Sequence, residues 1–496
     1  MIFIGVDIGT GSSKGVAVDA AGQVLATARQ DHRTSSPAPG RFEHDVDEVW
    51  LAEPVALVRH LVATLLEDHG AAPADVAGIG FSGIGPAIVP ADAAGRPLRP
   101  GILYGIDTRA EQEVADTNAD LGEDELLRHC GNLLSSQSIG PKLTWLHHHE
   151  PDVWAATRKV FCPPSYLVHR LTGEYVYDRY TASGSDPLYD MRTGDWWDAG
   201  WATVPGSDRV DRPRLADPSE HVGVLHAEGA ALTGLPAGTP VIPGTVDALA
   251  ESYSVGVEAT GDMMLKYGST LFMIQVTDRF FPASPLWSVG GVRQDQLALA
   301  AGMSTGGLVT SWLAEQVGSP VGDLVAAAGE SRPGSHGLIM LPYLAGERTP
   351  FEDPHARGAW IGLGLRHTRA DLARSALEGV GFGIRHNIAK MTEIGAAPSR
   401  LVAVGGGAQS STWLQIVSDV CQLPQDVPQL IVGAAYGDAR LAAYAHGCDV
   451  RAWNPTSHRV EPAVELKPLY DDMYGIFTAL YEPLRESMHR LSAQNL

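Results

Sequence analysis

The sequence predicts an α/β protein made of two similar halves that face each other across a cleft. The opening stretch "FIGVDIGTGSSKGVAVDAAGQVLA" reads as an apolar strand, a turn of small residues, a second strand, the turn "DAAGQ" and a third strand. The outline returns in "GDMMLKYGSTLFMIQVTD", residues 261–278, and a further glycine turn in "LVAVGGGAQSSTWLQIVSDV" joins a strand to a helix. A repeated strand–turn–strand unit is the mark of a duplicated domain, and paired domains bind small ligands between them.

Between these landmarks the elements follow from local pattern. Residues 48–67 have helical spacing, with Leu51, Val55, Val58, Val62 and Leu65 on one face. Residues 78–98 read as strand, glycine-rich turn, strand and turn, and helical periods dominate residues 108–171. Residues 175–218 are rich in Asp, Gly, Trp and Pro, which predicts long loops. Pro and Gly cluster in residues 234–256, so the division expected is residues 1–244, residues 245–450, and a helical extension, 451–496, packed on the second domain.

A chain of 496 residues exceeds one core, and 44% hydrophobic with 19% charged residues is the make-up of a folded protein. The net charge of -22 argues against nucleic acid or an anionic membrane as partner. It leaves room for an anionic small ligand held by backbone N–H groups and a metal ion. The four cysteines, Cys130, Cys162, Cys421 and Cys448, have no Cys-x-x-Cys spacing and read as free thiols. No basic leader precedes the first strand, and no apolar segment approaches a membrane span, so a cytoplasmic protein is expected. The consecutive residues His147, His148 and His149 point around a helix rather than toward one ion.

The first turn fits neither common nucleotide loop. A dinucleotide fingerprint needs Gly-x-Gly-x-x-Gly before a helix, but Lys14 stands at the last glycine position and a strand follows. A P-loop needs Gly-Lys-Ser/Thr, and the dipeptide Gly-Lys is absent from the chain. What remains is a hairpin turn whose N–H groups and hydroxyls form an anion nest, with Asp7 placed to hold Mg²⁺ through water.

Later segments add a family resemblance. "GAWIGLGLRHTRADLARSALEG", residues 358–379, is similar to the second signature of the FGGY carbohydrate kinases, and the preceding "GERTPFEDPHARG" is nearest their xylulokinase-like branch. "RPGILYGIDTRA" and "PKLTWLHHHEP" resemble two further family segments. From its own residues, the long segment is a helix capped by Thr368 and Asp371, with Gly379, Gly381 and Gly383 marking a close neighbour.

The resemblance implies two ribonuclease-H-like domains of the actin-like ATPase kind, and an ATP-dependent kinase for a primary hydroxyl of a small sugar. It implies ATP and Mg²⁺ as cofactors and a homodimer. Asp247 in "PGTVDALAE" matches the catalytic base, and Asp7 with Asp247 the metal site. Thr10, Gly11, Ser12, Ser13 and Lys14 match the first phosphate loop and Gly268, Ser269 and Thr270 the second. Gly306 and Gly307 match a turn near the nucleotide, and Gly405, Gly406, Gly407, Ala408 and Gln409 the adenosine loop. At the sugar side, Ile84, Gly85 and Pro86 stand where the branch carries Gln-Met-His, and Ala248 follows the base in place of Asn. Tyr104, Asp107 and Arg109 are the expected replacement contacts, beside Asp247. A pentulose is the expected substrate. A sugar acid such as gluconate, another polyol, or an inactive nucleotide-gated homologue are the alternatives.

Overall fold

A computed structural model of the chain describes residues 1–494. Its two largest sheets have seven strands each. In the first, Ile2–Ile8 is central: it pairs antiparallel with Ser12–Asp19, which pairs with Val24–Asp31. On its other side it runs parallel to Val76–Gly83, beyond which Pro240–Val241 and Thr245–Val246 continue the parallel set. Every residue of Ile2–Ile8 is buried, which is why the sequence there is a continuous apolar run rather than an alternation.

The second sheet repeats this plan. Asp262–Tyr267 pairs antiparallel with Leu271–Thr277, which pairs with Leu297–Met303. Arg400–Val404 then Gln425–Pro428 lie parallel on its other side, and Thr456–Val460 closes the edge antiparallel. Both halves therefore place a hairpin turn, then the ends of parallel strands, along one rim. The helix Lys467–Ser492 follows the edge strand and buries Tyr470, Met473 and Phe477 in the second core.

The first helix is longer than the pattern indicates, because a π-helical run, Val46–Ala52, leads into Glu53–His69. Together they make a 24-residue helix with a window of mean hydropathy 1.5, long and apolar enough to cross a membrane by those measures. The reading that no segment approaches such a length is corrected here. Burial decides its place: Val49, Trp50, Leu57, Val58, Leu61 and Leu65 pack into the core of the first sheet.

The helix Arg369–Glu393 begins at the capping box expected for it: Thr368 N–H donates to Asp371 Oδ2 at 2.8 Å, and Asp371 N–H returns to Thr368 Oγ1. Its glycines do admit close neighbours, since a Cβ on Gly379 would lie 2.5 Å from the Met340 carbonyl oxygen.

Two helices cross at the junction of the halves, Asp247–Ser254 and Ala434–Ala445. Glycines let them touch by backbone: a Cβ on Gly437 would lie 1.8 Å from the Ala250 carbonyl oxygen. The second helix also presses on the first sheet, where a Cβ on Gly5 would fall 1.9 Å from the Ala435 oxygen. Phe3, Leu249, Tyr253, Met264, Val402, Ala435 and Ala439 share one buried cluster, so a continuous core joins the halves.

Candidate active site

A cavity of about 400 Å³ opens between the halves. Its wall holds Thr10, Ile84, Gly85, Pro86, Tyr104, Asp247, Gly268, Ser269 and Thr270, all expected at the site. A second cavity, about 560 Å³, is lined by Gly268, Ser269, Gly307, Gly406, Gly407 and Gln409. Gly268 and Ser269 border both, so the second hairpin turn is the doorway between them.

The two hairpin turns are built alike. Gly9 N–H donates to the Ser12 carbonyl, and Gly268 N–H to the Thr270 carbonyl, both at 3.1 Å. Among the described residues the amides of Thr10, Gly11, Ser269 and Thr270 donate no backbone hydrogen bond. These are the free donors an anion nest requires. Thr10 Oγ1 is 3.1 Å from the Tyr104 hydroxyl, tying the first turn to the opposite wall.

Several expected residues stand elsewhere. The strand Ser12–Asp19 starts earlier than the glycine pattern suggests, so Ser12, Ser13 and Lys14 are in the ladder, not the turn. Ser13 is fully buried and donates to Glu53 Oε2 at 2.8 Å, facing away from the cleft. Lys14 is the cross-strand partner of Asp7. Gly306 and Gly307 do lie at the second turn: their N–H groups donate to the Ser269 and Gly268 carbonyls, at 2.9 and 2.8 Å, and Gly307 borders the second cavity. Gly405 has φ 90°, and a Cβ there would meet the Tyr267 oxygen at 2.7 Å, which docks the 405–409 loop against the same strand. Ala408 is buried beneath that loop.

Asp107 and Arg109 are the clearest correction. Neither borders the cavity, and Asp107 is fully buried. Its carboxylate accepts from Phe42 N–H at 2.7 Å and from Arg109, whose guanidinium also reaches Glu43 at 2.9 Å. A buried acid with two such donors is already satisfied, so the pair holds the loop rather than a ligand.

Asp247 begins its helix at the cavity wall, after Val246, and makes no capping bond beyond its contact with Ala248 N–H at 2.8 Å. Burial raises its carboxyl to about 6, with the charge of Glu251 adding to the rise and Lys266 opposing it. Asp7 lies beneath the first turn and rises to about 7, through burial and then the charge of Asp247. Strongly displaced acids in a cleft are the usual signature of proton chemistry.

Three side chains of this cluster, Glu251, Ser82 and Asp438, lie outside the sequence expectation, while Lys266 opens the segment 266–270 that resembles the family's second phosphate loop. Glu251 follows Asp247 by one helical turn and meets Lys266 Nζ at 2.5 Å. Ser82 Oγ is 3.1 Å from Asp7 Oδ1 and 2.7 Å from Asp438 Oδ2. The i, i+4 spacing of Asp247 and Glu251 is a signal legible in sequence, and so is a lone acid in the alanine-rich "AAYGDARLAAYA". Asn132 and Gln137 join the cavity wall with no local signal, and Arg348 joins it from the segment "GERTPFEDPHARG".

A duplicated sheet, paired hairpin nests and a displaced acid on the wall of the adjoining cavity are the features of a nucleotide-dependent enzyme. Residues 2–252 match the N-terminal domain and residues 263–446 the C-terminal domain of the FGGY family of carbohydrate kinases. The chain belongs to that family, and is a sugar kinase with ATP as its phosphoryl donor. It is 32% identical to a xylulose kinase of Escherichia coli K12 over 501 residues, covering 100% of this chain and 99% of that one. It is also 25% identical to a gluconokinase of Bacillus subtilis, over 90% of this chain and 88% of the other. Among solved structures, a xylulose kinase from Rhodospirillum rubrum superposes with a TM-score of 0.90 at 32% identity, over 99% of this chain and 100% of that one.

Proposed function

We propose that the protein phosphorylates the primary hydroxyl of a pentulose, xylulose-like in size, with Asp247 as general base. The observation that carries this is Asp247 at the wall of a cavity that meets the nucleotide cavity at Gly268 and Ser269. A full-length relative named xylulose kinase supports the substrate class. In this reading residues 1–244 hold the sugar, and residues 245–450 hold ATP.

The sugar hydroxyl lies against Asp247, which takes its proton as the oxygen bonds to the γ-phosphorus. The bond to the β–γ bridging oxygen breaks, and ADP leaves with that electron pair. Free amides of Thr10, Gly11, Ser269 and Thr270 receive the phosphates, and the 405–409 loop takes the adenosine end. Closure of the halves would exclude water, the competing acceptor.

Asp7 and Asp247 offer hard oxygen donors of the kind Mg²⁺ takes when phosphates and water supply the rest of its shell. The ion would offset phosphate charge. We place the enzyme in the cytoplasm, as a homodimer, which size-exclusion chromatography with light scattering would test.

The sugar wall differs from a polar hydroxyl grip: Ile84, Gly85, Pro86, Val246 and Trp287 line it. Asn132, Gln137 and Arg348 are among the polar groups that could read hydroxyls, beside Tyr104, Ser135 and Tyr180. Arg348 supports a second reading, a sugar acid, because it makes no ion pair among the described residues and its Nε is buried without a partner. ADP release from Mg-ATP across ketopentoses, polyols and gluconate tests both. Stimulation by D-xylulose is expected; stimulation by gluconate alone would favour the acid.

A further inference from the structure

We propose that Lys266, held in place by Glu251, is a second catalytic residue: its ammonium group contacts the phosphoryl group as it passes from ATP to the sugar. The inference rests on the kinase reading above and names how that site manages charge.

Lys266 lies near the end of the strand Asp262–Tyr267, two residues before Gly268, the glycine that borders both cavities. Its side chain borders the sugar cavity and is 40% exposed there, whereas that of Glu251 is 12% exposed. Lys266 is therefore on the sugar side of the doorway, beside Asp247. One ammonium N–H is directed to Glu251 Oε2 at 2.5 Å. An ammonium group has three donors, so two are left to turn toward the cavity.

The charges around this point call for a cation. Asp7, Asp247, Glu251 and Asp438 converge from the opening strand, the first crossing helix and the second crossing helix. Burial works against the charge on Lys266, yet Glu251, Asp247 and Asp7 together hold its pKa above the ordinary lysine value. Lys266 is thus a fixed positive charge. The other nearby lysine, Lys14, is exposed on the first hairpin opposite Asp7.

A phosphoryl group in flight spreads negative charge over three equatorial oxygens, and it must pass these carboxyls to reach the sugar. A preorganised cation at the crossing point lowers that barrier without reorganising at the moment of transfer. Glu251 supplies the preorganisation: without it, a flexible lysine would collapse onto Asp247 and cancel the base.

The test is steady-state kinetics with D-xylulose and Mg-ATP on wild type, Lys266→Met, Lys266→Arg and Lys266→Gln. Lys266→Met should lower kcat by about 100-fold, with both KM values within about threefold of wild type. Lys266→Arg, which keeps the charge, should recover at least about a tenth of wild-type kcat. Lys266→Gln, able to hydrogen-bond Glu251, serves if the Met variant does not fold, and it should lose kcat to the same degree. A kcat within about threefold of wild type in Met or Gln would overturn the proposal. So would a loss confined to the KM for sugar, which would make Lys266 a sugar ligand. An inactive wild type overturns the substrate reading and this inference together; an active wild type with an indifferent Lys266 overturns the inference alone.

Discussion

Ser82 Oγ lies 2.7 Å from Asp438 Oδ2, joining residues 356 positions apart and, with them, the two halves of the site. The same hydroxyl is 3.1 Å from Asp7 Oδ1. A serine has one proton to donate, so it cannot serve two carboxylates, and one of the acids must carry a proton of its own. Asp438 is that acid. It is fully buried, its Oδ1 has no partner, and burial with the charge of Asp7 pushes its carboxyl well above the usual range. Asp438 then donates to Ser82, and Ser82 donates to Asp7.

Asp438→Asn, which keeps a donor toward Ser82, should retain wild-type stability and Mg²⁺ dependence of activity. Asp438→Ala should cost about 1–3 kcal/mol in urea unfolding, as expected when a buried polar partner is removed. It should also raise the Mg²⁺ concentration needed for half-maximal rate. Equal behaviour of the two variants would contradict the donor assignment.

The displaced acids predict a pH profile. As the proposed base, Asp247 must be ionised to accept a proton, and burial raises it to about 6, next to Asp7 at about 7. The two act as a coupled pair, so kcat/KM should fall on the acid side with apparent midpoints in that region, not near 4 as for a free carboxylate. A profile flat down to pH 5 would contradict it. Stability runs the other way. A carboxyl raised in the folded state contributes below its unfolded pKa and loses that contribution as pH rises through the folded value. The Tm of Asp247→Asn relative to wild type should therefore increase between pH 5 and pH 8, in the absence of nucleotide.

Arg109→Ala separates scaffold from sugar contact. Removing a buried guanidinium from Asp107 and Glu43 should destabilise the fold by about 3–5 kcal/mol. The KM for sugar of the surviving folded enzyme should stay within about twofold. A tenfold rise in KM with unchanged Tm would return Arg109 to the sugar site.

Gly437→Ala tests how the halves are joined. Its methyl group would overlap the Ala250 carbonyl, so the crossing helices must separate, at about 1–3 kcal/mol. Because Asp438 is the next residue and Asp247 lies on the partner helix, kcat should drop along with Tm. Loss of Tm with full kcat would show that the crossing is structural only.

Much of this was legible in the sequence, for identifiable reasons. The continuous burial of Ile2–Ile8, the two hairpin turns and the Thr368–Asp371 cap are all local, and local pattern reports them. Asp247 was legible through its motif. The failures arise where distant chain segments meet. Asp107 and Arg109 look like ligands until Glu43 and Phe42 are seen to occupy them. Gly306 and Gly307 bond to the carbonyls of the second turn, a contact between segments that the local pattern does not report. Asp438 and Ser82 become partners only because Gly5 and Gly80 let a helix from the second half settle on the first sheet.

Sugar-dependent ADP release by wild type and Asp247→Asn, side by side with D-xylulose and Mg-ATP, tests the proposed role of Asp247 as general base on the wall of the sugar cavity. The sugar should stimulate the wild-type rate, and the variant should be reduced by about 100-fold or more with ATP binding intact. A variant that turns over sugar at the wild-type rate would contradict it.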